Sequence, residues 1–206
     1  MNGRLRSILA AVPPAGEPRI SHGSVCYGGD MDTVVTPRLI LRPLVEDDAA
    51  AYAEIRYHPE VARWLPPAPG DPLENAARTI AYFAQCWATD GHGPWGVFLK
   101  SGDEPGALIG HGGLRVIPEF DGQTEILYAL HPAGWGKGYA TELGQAALRY
   151  GFERRGLASI FAITMPDNHA SQAVMKRLGM SYRKRVVYKG IEAVWFELER
   201  EAFLAR

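Results

Sequence analysis

Between a strand-like run ending at Leu130 and a helical run beginning near Ala140 lies the segment Gly134-Trp135-Gly136-Lys137-Gly138-Tyr139-Ala140-Thr141-Glu142. Glycines at such a junction let successive backbone N–H groups point into one concavity, and the helix that follows adds the positive end of its dipole. That arrangement suits a phosphate or pyrophosphate; a glycine-rich turn holding no ligand is the plainer alternative. A P-loop needs G-x-x-x-x-G-K-[ST]. Here Gly138 follows Gly136-Lys137 and His131 holds the first-glycine position, so no hydroxyl stands ready for magnesium. The dinucleotide fingerprint G-x-G-x-x-G fails too, because Thr141 takes its last position counted from Gly136 and the preceding strand follows hairpins. The residues argue against both nucleotide readings.

The elements that would position this turn are legible around it. Leu39–Leu44 reads as a first strand. Glu46, Asp47 and Asp48 then open a helix through about Arg56, at the end where the helix dipole favours carboxylates. Asp71 as N-cap, Pro72 at the first helical position and Glu74 at the third start a second helix. Its apolar residues Leu73, Ala76, Ala77, Ile80, Ala84 and Trp87 step by three and four until Asp90-Gly91. Trp95–Lys100 and Ala107–Ile117 read as strands joined by a turn at Ser101–Gly106, and Asp121-Gly122 turns the chain into Gln123–Leu130. Ala140, Leu143, Ala147 and Tyr150 space a third helix. Ser159–Met165 is a short strand, and residues 169–178 form a fourth helix stopped by Gly179. Tyr182–Tyr188 and Ile191–Glu199 make a closing hairpin around Lys189-Gly190. Antiparallel runs with inserted helices predict an α+β sheet rather than a uniform βαβ array.

The 206 residues suffice for one domain with a tail, and 47% hydrophobic with 22% charged residues is ordinary for a globular chain. Lys and Arg number 22 against 23 Asp and Glu, without the basic excess of a nucleic-acid binder. Cys26 and Cys86 are too few for a disulfide framework or a zinc site, and none of the six histidines has metal spacing. No apolar run approaches the ~20 residues of a membrane span. A soluble, cytoplasmic protein with no nucleic-acid, membrane or metal partner is expected. Residues 1–32 are broken by Pro13, Pro14, Gly16, Pro18, Gly23, Gly28 and Gly29. The short apolar run Ile8–Val12 behind Arg4 and Arg6 falls short of the ~7–15 residues of an export signal. These residues read as a flexible extension, or as sequence preceding a true start at Met31, with 33–206 as the folded domain.

Trp135-Gly136-Lys137-Gly138-Tyr139-Ala140 resembles the acetyl-CoA motif Q/R-x-x-G-x-G/A of the GNAT (Gcn5-related) N-acetyltransferases. Trp135 at the Gln/Arg position is typical of the RimJ/RimL-like branch, which acetylates the N-termini of ribosomal proteins. Thr36–Pro43 is similar to that branch's first strand, and Glu125-Ile126-Leu127-Tyr128-Ala129-Leu130-His131-Pro132 to its fourth. Asn168-His169-Ala170-Ser171, followed by Leu178-Gly179-Met180, is similar to its N-x-x-S helix and L-G-F turn. The four segments are collinear over Thr36 to Leu198. Leu127 departs from the branch's glycine in E-I-G-Y, which leaves the local pocket shape open.

The resemblance implies a mixed central sheet, splayed between its fourth and fifth strands and flanked by about four helices. It implies acetyl-CoA as co-substrate, with the amides of Gly136, Lys137, Gly138, Tyr139, Ala140 and Thr141, next to Trp135, around the pyrophosphate. Backbone groups of Tyr128, Ala129 and Leu130 would receive the pantetheine arm. Asn168 would bond that arm, or cap its own helix. Ser171 would hydrogen-bond or protonate the departing thiolate. The attacking amine must be neutral, although an α-amino group has a pKa of roughly 7.7–8.0 and a lysine ~10.4. A base is therefore needed; Glu125 is the first candidate, with His111 and His131 as competitors.

The acceptor would be chosen between His58 and Asp71 and by the closing hairpin, with Trp64, Trp95 and Tyr188 as candidate walls and the proline-rich Leu65–Pro69 as a stiff one. The expected activity is transfer of acetyl from acetyl-CoA to a primary amine, of a protein N-terminus or a small molecule, by direct attack in a ternary complex. The rival readings are a catalytically silent acyl-CoA sensor and a partner-binding protein.

Overall fold

The computed structural model describes Cys26–Tyr27 and residues 33–206. The extension read over 1–32 lies outside the described residues, save for Cys26–Tyr27. Among the described residues nine strands form one sheet: β1 (Cys26–Tyr27), β2 (Val34–Val35), β3 (Leu39–Arg42), β4 (Pro94–Ser101), β5 (Glu104–Ile117), β6 (Gln123–Leu130), β7 (Ser159–Thr164), β8 (Ser181–Tyr188) and β9 (Ile191–Glu199). Their spatial order is β1-β2-β3-β4-β5-β6-β7-β9-β8. The helices are α1 (Ala49–Arg56), α2 (Pro59–Ala62), α3 (Pro72–Asp90), α4 (Tyr139–Arg149, continued by a π-helical turn to Arg154), α5 (His169–Arg177) and α6 (Arg200–Leu204). Four of them, α1, α3, α4 and α5, are the expected ones. The sheet is mixed: every neighbour pair is antiparallel except β6 and β7, which the α4 crossover makes parallel. Eight registered pairs bind β5 to β6 and six bind β7 to β9, whereas β6 meets β7 at the single pair Glu125↔Phe161.

Local chemistry sets the boundaries. Asp71 Oδ1 accepts the Glu74 amide at 2.9 Å to open α3, and Gly91, at φ +66°, closes it where a side chain would be strained. The first helix is split. Glu46–Asp48 form a 3-10 turn because Asp48 accepts the Val45 amide at 2.8 Å and is forked by Arg42 at 2.8 and 2.9 Å. The turn expected over Ser101–Gly106 is tighter than its composition implies. Only Gly102-Asp103 turn, and Ser101 already pairs with Glu104.

Strand alternation distributes the core to two faces. Leu39, Leu41, Val97, Leu114 and Ile126 pack with Leu143, Ala147, Met175 and Leu178 of the α4–α5 side. Ile40 and Phe98 point the other way, beneath Tyr52, Ala53, Ile80 and Phe83 of α1 and α3. A Cβ on Gly144 would come within 2.5 Å of Leu178, so glycine permits the close approach of α4 to the end of α5. That fixes where the two helices begin, which is where the candidate site lies.

Candidate active site

A cavity of about 1880 Å³ follows β6, from the glycine turn before α4 to the loop after α1. Pockets for drug-sized ligands run ~300–1,000 Å³, so this space can hold a cofactor and a second substrate together.

At one end the chain passes through Gly136 and Gly138, at φ +72° and +82°, a conformation that glycine adopts without strain. Gly138 is the N-cap of α4 and has no side chain to cap it, so the helix presents its first-turn amides to the cavity. Nothing lies within 4 Å of a Cβ built on Gly136. This open, uncapped concavity fits a pyrophosphate. The turn is clamped from β3's side: Glu142 accepts Arg38 N–H at 2.8 Å, Arg38 Nε–H at 2.7 Å and the Thr36 hydroxyl at 2.7 Å, while Arg38 also donates to the Lys137 carbonyl at 2.8 Å. Tyr139, Ala140 and Thr141 line the cavity, but Lys137 does not. Trp135 lines it with its indole N–H donated to the Leu130 carbonyl at 2.7 Å.

The backbone of β6 alternates. The His131 amide bonds Ile109 of the β5 side at 2.8 Å, and the Ala129 and Leu127 carbonyls abut Gly110 and Gly112 of β5. The odd-numbered peptide groups are therefore committed to β5, and those of Tyr128 and Leu130 face away from it. The Ala129 backbone therefore belongs to the ladder, and Ala129 lines the cavity with its side chain.

Side chains alternate as well. Tyr128 points to α5, where its hydroxyl lies 3.0 Å from Ser171 Oγ and donates toward the Ser171 carbonyl at 3.1 Å. Burial pushes the phenol up to about 12, with Ser171 pulling weakly the other way, so it stays protonated. Asn168 Oδ1 accepts the Ser171 amide at 3.0 Å. The capping role is therefore filled, which leaves the Asn168 amide NH2 as the group able to meet a ligand.

Glu125 projects to the opposite face of β6 and is 4% exposed. Arg115, opposite it on β5, places Nε and a terminal nitrogen both at 2.7 Å from Oε2. Burial lifts the carboxyl above the ordinary glutamate range against the pull of Arg115. His111 lies nearby, stacked edge-on to Tyr52 at 5.4 Å, with Nδ1 lacking any partner. Burial, helped by Arg56 and Arg115, depresses its pKa to about 3, so it is neutral at ordinary pH. His131 stands outside the cavity wall: its Nδ1 accepts the Ala133 amide and its ring rests on His58. Trp95 is a correction, being fully buried in the core against Trp87 and Tyr150. Trp64, Tyr188 and Leu127 do line the cavity.

Residues 38–181 match the acetyltransferase (GNAT) domain. The N-acetyltransferase YoaA of Bacillus subtilis is 31% identical over 144 residues, 70% of this chain and 80% of its own. The FsC-acetyl coenzyme A-N(2)-transacetylase of Aspergillus fumigatus is 30% identical over 190 residues, 84% of this chain and 78% of its own. Among solved structures, an acetyltransferase from Agrobacterium tumefaciens superposes with a TM-score of 0.71 at 24% identity, over 89% of this chain and 99% of that one. The chain belongs to the GNAT N-acetyltransferases, in the RimJ/RimL-like branch. Enzymes of this family use acetyl-CoA, and an amine acceptor is implied. No helix among the described residues is long and apolar enough to cross a membrane.

Proposed function

We propose that the cavity binds acetyl-CoA along α4 and α5 and passes its acetyl group directly to a primary amine, of a protein N-terminus or a small molecule. The observation that carries this reading is the convergence on one cavity of the uncapped start of α4 and the Asn168–Ser171 start of α5. The amides of Gly136 and of Gly138 to Thr141 hold the pyrophosphate. Beyond the single pair Glu125↔Phe161, β6 and β7 part to admit the pantetheine arm, which meets the outward backbone of Tyr128 and Leu130 as an added strand would.

The thioester then lies between two groups on opposite faces of β6. Glu125 takes a proton from the amine, directly or through a water, and its raised pKa matches that task. The amine nitrogen bonds to the carbonyl carbon, the carbon–sulfur bond breaks, and Ser171 Oγ donates a hydrogen bond to the departing thiolate. Cys86, a free cysteine, is buried away from the cavity wall, which favours direct transfer over a covalent acyl-enzyme on it.

Thermal unfolding of the full chain with acetyl-CoA, CoA, ATP or NAD tests the cofactor. A ligand that binds only the folded state at ~100 times its Kd adds about 2.7 kcal/mol. Both CoA forms should raise Tm and the nucleotides should not. A folded protein that no CoA form stabilises refutes the reading. Release of free thiol in the presence of an amine panel separates an enzyme from a silent binder.

A further inference from the structure

The acceptor end of the cavity has a charge pattern that the cofactor does not explain. Tyr52, Trp64, Tyr82, Phe83 and Tyr188 supply an aromatic lining there. Arg56, Arg63, Arg115 and Lys189 stand among them, against one carboxylate, Glu125. The other acidic residues of the wall, Glu142, Glu153 and Asp167, belong to α4, its π-helical continuation and the turn before α5. His111 adds no charge, since it is neutral.

The four cations differ in what already holds them. Arg115 is paired with Glu125. Arg63 reaches the exposed Glu60 at 3.9 Å, a contact that water screens. Arg56 donates to the Pro66 carbonyl at 2.6 Å, which orients the guanidinium without neutralising it. Lys189, on the turn between β8 and β9, lies 5.1 Å from the Tyr188 ring centre. Among the described residues neither Arg56 nor Lys189 has a carboxylate within ion-pair reach. Arg56, Arg115 and Lys189 all line this one cavity.

We infer that the acceptor is a primary amine whose own molecule carries a carboxylate and an apolar or aromatic body, with Arg56 or Lys189 receiving the carboxylate. This inference rests on the acetyl-transfer reading above. A polyamine or other multiply cationic acceptor would bring more positive charge beside these cations, of which Arg56 and Arg115 are half-buried and less screened by water. A carboxylate meets two cations that lack one, and planar donors such as Arg56 suit it geometrically. The same cations disfavour a protonated amine next to them, so they also raise the fraction of acceptor able to attack. The aromatic side chains then hold the rest of the molecule.

Free-thiol release is measured with acetyl-CoA and four amines: L-phenylalanine, its amide, a peptide amide beginning Asp-Phe, and spermidine. In parallel, the thermal shift that each amine produces on the CoA-bound protein reports binding without turnover. The two carboxylate-bearing amines should exceed phenylalanine amide by about tenfold or more in kcat/KM, with spermidine lowest. Comparing them tells a free amino acid from an acidic N-terminus. Arg56→Gln should lower the phenylalanine-to-amide ratio of kcat/KM about tenfold. Lys189→Asn, at an exposed turn position whose φ of +50° asparagine tolerates, should do the same without risk to folding. Spermidine or the amide equalling the better of the two carboxylate-bearing amines overturns the inference, as does an unchanged ratio of that amine to the amide in both variants. It also falls if no carboxylate-bearing amine is bound or turned over. In each of these cases a CoA-induced shift that persists leaves the cofactor reading standing, whereas its absence removes both.

Discussion

Tyr128→Phe removes one oxygen atom and tests how Ser171 is held. The phenol contacts the Ser171 carbonyl at 3.1 Å and its Oγ at 3.0 Å. A carbonyl can only accept, so when Tyr128 donates to it, the serine hydroxyl donates to the phenol oxygen. When Ser171 turns its hydrogen onto a departing sulfur, the phenol hydrogen is free to swing to Oγ and hold it there. The two hydroxyls therefore act as one unit. Two partly buried hydrogen bonds at roughly 0.5–1.5 kcal/mol each put the loss of stability at about 1–3 kcal/mol. For a domain of this size that is a fall in Tm of about 2–4 °C per kcal/mol.

On kcat, Ser171→Ala should lose on the order of 10²-fold, the lower range for general acid catalysis. Tyr128→Phe should lose on the order of 10-fold. Combined, they should be no slower than Ser171→Ala alone, because the phenol has nothing left to orient. The assay is single-turnover thiol release for the four members of the cycle, with unfolding measured on each. If Tyr128→Phe slows the Ser171→Ala enzyme by the same factor as the wild type, the phenol acts independently and the coupling argument is wrong. Because the Tyr128 pKa is pushed up to about 12, the phenol should add no limb to the pH–rate profile below about pH 10.

Three further outcomes follow from the geometry. Asn168→Ala should cost about 1 kcal/mol, read as a lower Tm, and Asn168→Asp should recover it by restoring the oxygen that accepts the Ser171 amide. Acetyl-CoA affinity, measured separately, then reports what the amide NH2 contributes. His111 has a depressed pKa, so the unfolded chain takes up a proton that the folded chain refuses between about 6.5 and 3. Stability should fall as pH drops through that window, by up to about 1.4 kcal/mol per unit, and His111→Phe should flatten this part of a denaturant-midpoint profile. Gly138→Ala forces a side chain into φ +82° and within 3.3 Å of an Arg38 nitrogen. It should weaken acetyl-CoA binding in titration calorimetry more than Gly136→Ala, whose neighbourhood is open.

What the sequence made legible was local. Asp71, Pro72 and Gly91 bound α3, and Lys189-Gly190 turns the last hairpin, because caps and turns depend on a few adjacent residues. The start of β5 is hidden in the sequence because Pro105 and Gly106 read as turn, although both lie in β5 and Pro105 pairs with Lys100 of β4. The contacts around the site join distant positions and carry no local signal. Glu142 meets Thr36 and Arg38 across more than a hundred residues, and Tyr128 meets Ser171 across 43. Arg115 is the exception. With the turn at Asp121-Gly122 and Ile117 opposite Gln123, counting back two places sets Arg115 against Glu125. An opposite-charge pair on one hairpin face could have been read directly.

The lone parallel pair between β6 and β7 also bears on how the chain reaches this shape. Hairpins β4–β5, β5–β6 and β8–β9 close over short turns, whereas Glu125 and Phe161 meet only after α4 has crossed over. Contacts between distant segments lag behind local ones because loop entropy is lost before they are rewarded. The two halves of the sheet should thus form first and dock last, so the chain becomes able to bind its cofactor only at the final step of folding.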